Sequence, residues 1–254
     1  NSKSKNVGLK SITYLLSHRA AGLFLFIGFL TVLVSWVNPT FLQIQNLKDI
    51  AVQAAPVCII SCGVMLVLVS GEIDISIGSM MGGLAACMGV MVSTSRGQFS
   101  PHIAIPLTLL IGIGIGLING WLVAYAGVPS IIVTLGMLTA LRGFTEIIMG
   151  GTWITDLPDG IRYLGTGTLL GFPISLWTAV TVMTVSIWLI HRTAIGRRIY
   201  AVGSNPHAAH LAGLPIKPIK LFVFAWAGLL TGVATLISVP QLSVEDSGIG
   251  VGIE

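Results

Sequence analysis

The sequence is 254 residues long, 54% hydrophobic and only 9% charged, with a formal net charge of +4. Soluble domains carry roughly 25% charged residues, so this composition excludes a soluble globular protein and indicates helices that are solvated by lipid. The basic residues lie in blocks beside apolar segments, which is typical of a membrane protein and does not indicate nucleic-acid binding.

Seven apolar runs have the length of about 20 residues that a helix needs to cross the hydrocarbon core of a bilayer. They cover residues 20–37, 50–69, 75–93, 103–125, 131–149, 169–190 and 221–239. The predicted fold is therefore all-α, a polytopic membrane helix bundle of about seven transmembrane helices that forms a single domain over residues 1–254. The longest hydrophilic stretch, 191–220, is predicted to be a loop, because it is too short to bury a core of its own.

The charge distribution predicts the orientation, since cytoplasmic segments of membrane proteins are enriched in Lys and Arg. With a cytoplasmic N-terminus, nine basic residues fall on the cytoplasmic side: Lys3, Lys5, Lys10, Arg19, Arg192, Arg197, Arg198, Lys217 and Lys220. Three fall on the opposite side: Lys48, Arg96 and Arg162. The acidic connection 70–74 fits least well, and it either lies in the cytoplasm or dips into the membrane as part of a broken helix.

Sequence motifs of catalysis are missing. There is no P-loop, no His-Glu-x-x-His pair and no Gly-x-Ser-x-Gly elbow. Cys58, Cys62 and Cys87 lie within apolar runs, where we interpret them as small core residues rather than as metal ligands or a disulfide. Neither an enzyme nor a metal or other cofactor is expected.

Two carboxylates interrupt the apolar sequence after the second predicted span, where residues 70–79 read SGEIDISIGS. In one interpretation this is a helix–helix connection in which Asp74 or Ser76 caps the third span. In the other, Glu72 and Asp74 supply charged groups to a transport pathway, because acidic breaks between spans are costly to keep in a membrane. The sequence leaves both open.

The fourth predicted span carries glycines every four residues, at Gly112, Gly116 and Gly120. This spacing places them on one face and predicts close packing of another helix. Asn119 lies beside the stripe and needs a polar partner if it is buried. It either ties helices together or lines a polar path.

Arg142 is the cation inside the fifth predicted span, and Glu146 follows one helical turn later. The two form either an internal ion pair that neutralises both groups, or a site in which Arg142 faces the bundle interior and contacts a polar solute. The first interpretation is favoured.

A short helix is predicted within the loop 191–220. Asn205 suits its N-cap, Pro206 its first position, and Gly213 the left-handed conformation that ends a helix. Ala208 and Ala209 give it little bulk, so it could dock into a groove of another protein. The alternative is a surface helix that lies on the lipid headgroups.

Four segments together resemble the permease subunits of bacterial sugar ABC importers, the ribose, arabinose, galactose, rhamnose and autoinducer-2 permeases. They are SGEIDISIGS, GLINGWLVAY (residues 116–125), PSIIVTLGMLTALRG (129–143) and GRRIYAVGSNPHAAHLAGL (196–214). They occur in the family's order and cover most of the chain. The segment GGTWITDLP (150–158) looks closest to the autoinducer-2 and rhamnose branch.

This resemblance implies a multi-pass subunit of the bacterial inner membrane that pairs with a second permease subunit, in a homodimer or a heterodimer. It also implies cytoplasmic ATP-binding cassette subunits that hydrolyse ATP and a periplasmic binding protein that delivers the solute. Asn205, Ala208, Ala209 and Gly213 match the family's coupling helix, which sits in a cleft of the ATPase. The final GIGVGIE resembles the start of a motif that continues through further spans, so the chain is expected to be incomplete at its C-terminus.

The rival hypothesis is a self-contained channel or ion-coupled transporter. It would need no ATPase and would use Glu72, Asp74 or Arg142 as coupling charges. A capped helix in a basic loop has no obvious role in that scheme.

Overall fold

A computed structural model describes residues 19–150 and 158–241. The basic segment before residue 19, most of the GGTWITDLP segment and the GIGVGIE motif lie outside the described residues. The chain divides after Ile50 into two compact units.

The described part of the chain is helical apart from its connections and one two-stranded hairpin. Its α-helices are α1 (Arg19–Val37), α2 (Ile44–Val69), α3 (Ile77–Val92), α4 (Pro101–Ala124), α5 (Ser130–Met149), α6 (Asp159–Thr166), α7 (Ile174–Arg192), α8 (Ala194–Ser204), α9 (Pro206–Leu211) and α10 (Ile216–Ser238). The hairpin pairs β1 (Thr168–Leu169) with β2 (Phe172–Pro173), and short 3-10 helices cover Pro39–Leu42 and Val239–Gln241.

Five helices are long and apolar enough to cross a membrane: α2, α4, α5, α7 and α10. Two shorter apolar helices, Ala21–Val37 within α1 and Ile77–Val92, account for the other predicted spans. The 16 residues of α3 rise only about 24 Å, less than the about 30 Å of a bilayer core. The predicted helical membrane fold is thus confirmed, while the count of seven spans stays a prediction.

The first unit contains α1 and the turn that follows it. The large apolar side chains of α1 are exposed, and Trp36 at its end is 89% exposed. Asn38 then stops the helix and starts the 3-10 turn, because its Oδ1 accepts hydrogen bonds from the Thr40 N–H at 3.1 Å and the Thr40 hydroxyl at 2.7 Å. Pro39 suits the first position of such a turn.

In the second unit, α4 and α10 pack more closely than ordinary side chains would allow. A Cβ at Gly112 would lie 2.6 Å from the Gly228 carbonyl oxygen, and one at Gly116 would overlap the Phe224 carbonyl. Gly120 faces Leu221 one turn further along. The backbones therefore meet along the glycine stripe that the sequence displays.

The short helix α3 lies at the centre of the second unit. It packs against α4, α5 and α10, and 13 of its 16 residues are buried. A helix that is apolar on all sides suits a fully enclosed position. Its many small residues, including Gly82, Gly83 and Ala85, let the three neighbours approach it.

The structure corrects the predicted start of the sixth span. Residue 169 lies in the β1–β2 hairpin, and α7 begins only at Ile174. The two loop residues Leu170 and Gly171 both have positive φ, at 54° and 79°, which is the geometry of a tight hairpin turn and is incompatible with a helix.

The predicted loop 191–220 also contains a helix that the sequence interpretation missed. α8 buries Gly196, Ile199 and Val202, and its start is capped by the Thr193 hydroxyl, which accepts from the Gly196 N–H at 3.1 Å. The spacing of the apolar residues and the capping threonine were the available signals.

Candidate functional site

The break between α2 and α3 contacts two other connections of the second unit. Gly203 in α8 meets the Val69 carbonyl so closely that no side chain would fit there. The Ile73 N–H donates to the Ser130 hydroxyl, at the start of α5, over 3.2 Å. The connections 70–76, 125–129 and 193–215 therefore lie at one end of this unit, which we call the junction end.

At the opposite end, Arg96 donates to the carbonyl oxygens of Ile148 and Met149 at 3.4 and 3.3 Å, where a cation is favoured at a helix C-terminus. Successive connections therefore alternate between the two ends, as expected for neighbouring spans that run antiparallel. In particular, the acidic connection 70–74 lies at the same end as the loop 191–220, as the predicted topology demands.

Asp74 holds the start of α3 in place. Its Oδ1 accepts from both the Ser76 N–H, at 2.9 Å, and the Ser76 hydroxyl, at 2.6 Å. This is the local turn by which an aspartate fixes the backbone two residues later. Asn119 of α4 donates from Nδ2 to the Ser76 Oγ at 3.0 Å. Asp74, Ser76 and Asn119 are all buried and form what we call the polar junction.

Two oxygens of the polar junction are buried without a hydrogen-bond donor among the described residues, namely Oδ2 of Asp74 and Oδ1 of Asn119. Burial raises the pKa of the Asp74 carboxyl above its ordinary value, against the opposing effect of the hydrogen bonds from Ser76. Burial therefore shifts the protonation equilibrium of Asp74 toward the neutral carboxyl.

Glu72 belongs to the same connection but has a different partner. Its Oε1 forms an ion pair with the Lys220 ammonium in α10, and the two side chains are 11% and 21% exposed. The pair links the break before α3 to the first turns of the last helix. Opposite charges at nearby helix ends offset the cost of taking each out of water.

Arg142 lies apart from this cluster, in the middle of α5. Its Nε donates to the Ser79 hydroxyl of α3 at 3.2 Å, while the side chain as a whole is exposed. Glu146 is also exposed, and its ion pair with Arg142 stays a prediction. Of the four predicted pathway residues, the structure brings Asp74 and Asn119 together, places Glu72 beside them, and separates Arg142.

The short helix α9 has the ends that were predicted from the sequence. Asn205 Oδ1 accepts from the Ala208 N–H at 2.9 Å, and Pro206 occupies the first position. At the other end Gly213 has a φ of +77°. The Gly213 N–H bonds to the His210 carbonyl and the Leu214 N–H to the Ala209 carbonyl, which is the Schellman arrangement that closes a helix.

The two alanines of α9 differ in what they contact. Ala208 is exposed, as docking into another protein requires. Ala209 is 5% exposed and belongs to a core cluster with Val202 and Ile219. Ala209 therefore anchors α9 to the second unit, and the surface available to a partner is formed by the other side of the helix.

Comparison with known protein families identifies the class of the chain. Residues 46–254 match the family described as "Branched-chain amino acid transport system / permease component". The chain belongs to this family. No solved structure matches it.

Relatives of this permease include the permease proteins of import systems for ribose and for autoinducer 2. It is 37% identical to the ribose import permease protein of Haemophilus influenzae over 229 residues, which are 89% of this chain and 70% of the relative. It is 33% identical to the ribose import permease protein of Escherichia coli strain K12, with the same coverage. It is 30% identical to the autoinducer 2 import system permease protein of Salmonella typhi, over 96% of this chain and 69% of the relative.

Membership of the family makes the chain a multi-pass transport subunit rather than an enzyme. The described residues contain no group of three or more His, Cys, Asp and Glu side chains placed to hold a metal ion, and Cys58, Cys62 and Cys87 are free thiols. Asp74, Ser76 and Asn119 are buried between helices, where their hydrogen bonds fix the relative positions of α3 and α4.

Two residues of the site, Ser130 and Lys220, were not predicted as site residues from the sequence, and Ser76 was considered only as a cap of the third span. Lys220 could have been found, because it and Glu72 were predicted on the same side of the membrane. The hydrogen bonds between Asp74 and Ser76 could have been predicted, because Asp74 precedes Ser76 by two residues. Ser130 carries no local signal, since its partner lies 57 residues away.

Proposed function

We propose that this chain is the membrane-spanning subunit of an ATP-driven importer that carries a sugar or sugar-like solute across the bacterial inner membrane. The family match over residues 46–254 supports a permease, and the ribose and autoinducer 2 permeases among its relatives support a small polyhydroxylated solute. In this proposal a cytoplasmic ATP-binding cassette ATPase supplies the energy, a periplasmic binding protein delivers the solute, and a second permease subunit completes the path.

The proposed orientation has a cytoplasmic N-terminus, seven spans in this chain and the junction end in the cytoplasm. Residues 1–254 then belong to one permease domain. The orientation is supported by the basic residues that α7, α8 and α10 present near the junction end, including Arg192, Arg197 and Lys217.

The proposed coupling element is α9. Its two caps make it a stiff unit despite its six residues, and Ala209 ties it to the core of the second unit. Because α8 and α10 flank it closely in sequence, a displacement of α9 would be passed to the helices that follow and precede it. The observation that supports the proposal is that one side of α9, with Ala208, is exposed, while the other side, with Ala209, packs into the core.

The residues proposed for the translocation pathway act in two ways. Arg142 is an exposed cation on an apolar span, and such a group is retained where it faces a polar path or a partner subunit. Glu72, Asp74 and Asn119 connect the break before α3 with α4 and α10. We propose that they transmit movements of the junction end to the buried helix α3.

The coupling proposal predicts that Ala208→Glu abolishes ATP-driven uptake while leaving the fold intact. The carboxylate would bring bulk and an unpaired charge into the docking contact, where an unpaired charge is costly to bury. The measurement is solute uptake into proteoliposomes that contain the complete complex, together with the amount of ATPase that copurifies.

The matched control is Ala126→Glu, the same change at another exposed alanine of the junction end. It should insert, bind the ATPase and transport normally. Normal uptake and normal ATPase retention by Ala208→Glu would contradict the coupling role of α9 and would favour a self-contained channel or secondary transporter.

A further inference from the structure

A cleft of about 570 Å³ opens at the junction end, between the last residues of α4 and the first residues of α10. Its walls are mainly apolar and include Val123, Leu214 and Ile216. None of these three side chains belongs to the polar junction. The cleft is therefore distinct from the polar junction, and it borders α9 through His210 and the Glu72–Lys220 ion pair through Lys220.

The charged groups of the cleft are cations. They are Lys217 and Lys220, and the imidazole of His210 also lines the cleft. Lys220 is neutralised by its ion pair with Glu72. Lys217 is exposed, lies 5.4 Å from the centre of the Tyr125 ring, and has no carboxylate partner among the described residues. The cleft thus keeps an uncompensated positive charge, which favours an anion.

The depth of the cleft identifies the kind of anion. Tyr125 immediately follows the spanning helix α4, and Ile216 is the first residue of the spanning helix α10. Both therefore lie at the junction end of a spanning helix, and tyrosine is enriched where such helices leave the hydrocarbon core. An apolar wall that leads from the core to a cation at this level matches an amphipathic anion, with its apolar part in the membrane.

We propose that this cleft binds an acidic phospholipid of the adjacent leaflet, with the phosphate at Lys217 and an acyl chain along Val123 and Ile216. Basic pockets between spanning helices are known to bind such headgroups. His210 belongs to α9, so the bound lipid would contact both α9 and α10. The lipid would be a component of the resting permease and is distinct from the transported solute.

The test is native mass spectrometry of the detergent-purified complete complex, titrated with phosphatidylglycerol or with phosphatidylcholine of the same chain length. We expect phosphatidylglycerol to be retained preferentially. Lys217→Gln should weaken its retention about fivefold, the effect of removing one basic residue near a membrane surface. Lys217→Arg should retain it. The matched control is Lys48→Gln, which removes a lysine that does not line the cleft and should leave retention unchanged.

Two further arms separate the lipid from other occupants. Glycerol phosphate at the same concentration should not displace phosphatidylglycerol, because it lacks the acyl chains that contact the apolar wall. Removal of the ATPase subunits should leave the difference between wild type and Lys217→Gln intact. Equal retention by Lys217→Gln and Lys48→Gln, displacement by glycerol phosphate, or a difference that depends on the ATPase would each overturn the proposal.

Discussion

The polar junction and the helix α9 are both interruptions between spans at the same end of the second unit, yet they are stabilised in different ways. α9 is held by bonds within residues 205–214, between Asn205 and Ala208 and around Gly213. The polar junction connects residues that are far apart in sequence, such as Ser76 and Asn119. One is a local unit with an exposed surface, and the other is a buried connection between helices.

This difference between local and long-range stabilisation indicates what each region can contribute to transport. A locally capped helix keeps its shape while its surroundings change, so it suits a surface that meets a moving partner. A buried network that joins several helices fixes their relative positions, because its groups have no water to replace a lost partner. Damage to the polar junction should therefore lower global stability, whereas damage to α9 should alter coupling and local order.

The largest effect on stability is expected from Asp74→Ala. The variant loses the acceptor for both the Ser76 N–H and the Ser76 hydroxyl, and a buried donor left without a partner costs about 1–3 kcal/mol. The measurement is thermal unfolding of the purified protein in a fixed detergent. Asp49→Ala removes an exposed carboxylate that accepts from Gln45 and should change stability little. Equal losses in the two variants would show that the polar junction is not a stabilising network.

A smaller and pH-dependent effect is expected from Asp74→Asn. Because burial raises the folded-state pKa of Asp74, its neutral form contributes stability that is fully present below the ordinary pKa of about 4. This contribution is lost as the pH rises through the raised pKa. Asparagine keeps the acceptor for Ser76 and cannot ionise, so the variant should match the wild type at low pH and exceed it at higher pH.

The check is the difference in unfolding midpoint between Asp74→Asn and wild type, measured from pH 4 to pH 8. Asp49→Asn makes the same substitution at an exposed aspartate and serves as the control. A variant that is less stable than wild type at pH 8 and equal at pH 4 would mean that the charged form of Asp74 is the favoured one. Solute uptake by Asp74→Asn separates a pathway role of Asp74 from a structural role. If Asp74 supplies a charge to the pathway, the variant should lose uptake. If Asp74 acts as a neutral hydrogen-bonding group, the variant should keep uptake.

The smallest effect on global stability is expected from Asn205→Ala. Loss of the N-cap costs about 1 kcal/mol locally, and α9 has only six residues, so the helix should fray while the unfolding midpoint stays within error. Hydrogen exchange should accelerate at the Ala208 and Ala209 amides and remain unchanged in α3. Asn205→Ser keeps an acceptor and should restore protection. Faster exchange throughout α3 would contradict the view that α9 is stabilised locally.

The same contrast between local and long-range contacts explains which features of the two regions could be predicted from the sequence. The ends of α9 could be read from Asn205, Pro206 and Gly213, because capping depends on residues a few positions apart. The burial of Ala209 could not, since it depends on Val202 and Ile219 folding against it. The glycine stripe at Gly112 and Gly116 predicted a close helix contact but not that α10 would be the partner.

The polar junction was only partly predictable. The acidic break drew attention to Glu72 and Asp74, but the contacts of Glu72 with Lys220 and of Ser76 with Asn119 are set by the packing of α10 and α4. The limits of the sixth span were misplaced because the hairpin at Leu170 and Gly171 is short and apolar, so hydropathy does not distinguish it from a helix. In each case the missing information is a contact between distant segments.

The most direct test of the central claim is a photo-crosslinking amino acid at position 208 in the assembled complex, with position 126 as control. The account predicts that Ala208, as the exposed alanine of α9, crosslinks to the ATPase subunit, while the control position does not. It also predicts that addition of ATP changes the yield at position 208. A complex that transports normally but gives no ATPase crosslink from position 208 in any nucleotide state would contradict the assignment of α9 as the coupling element.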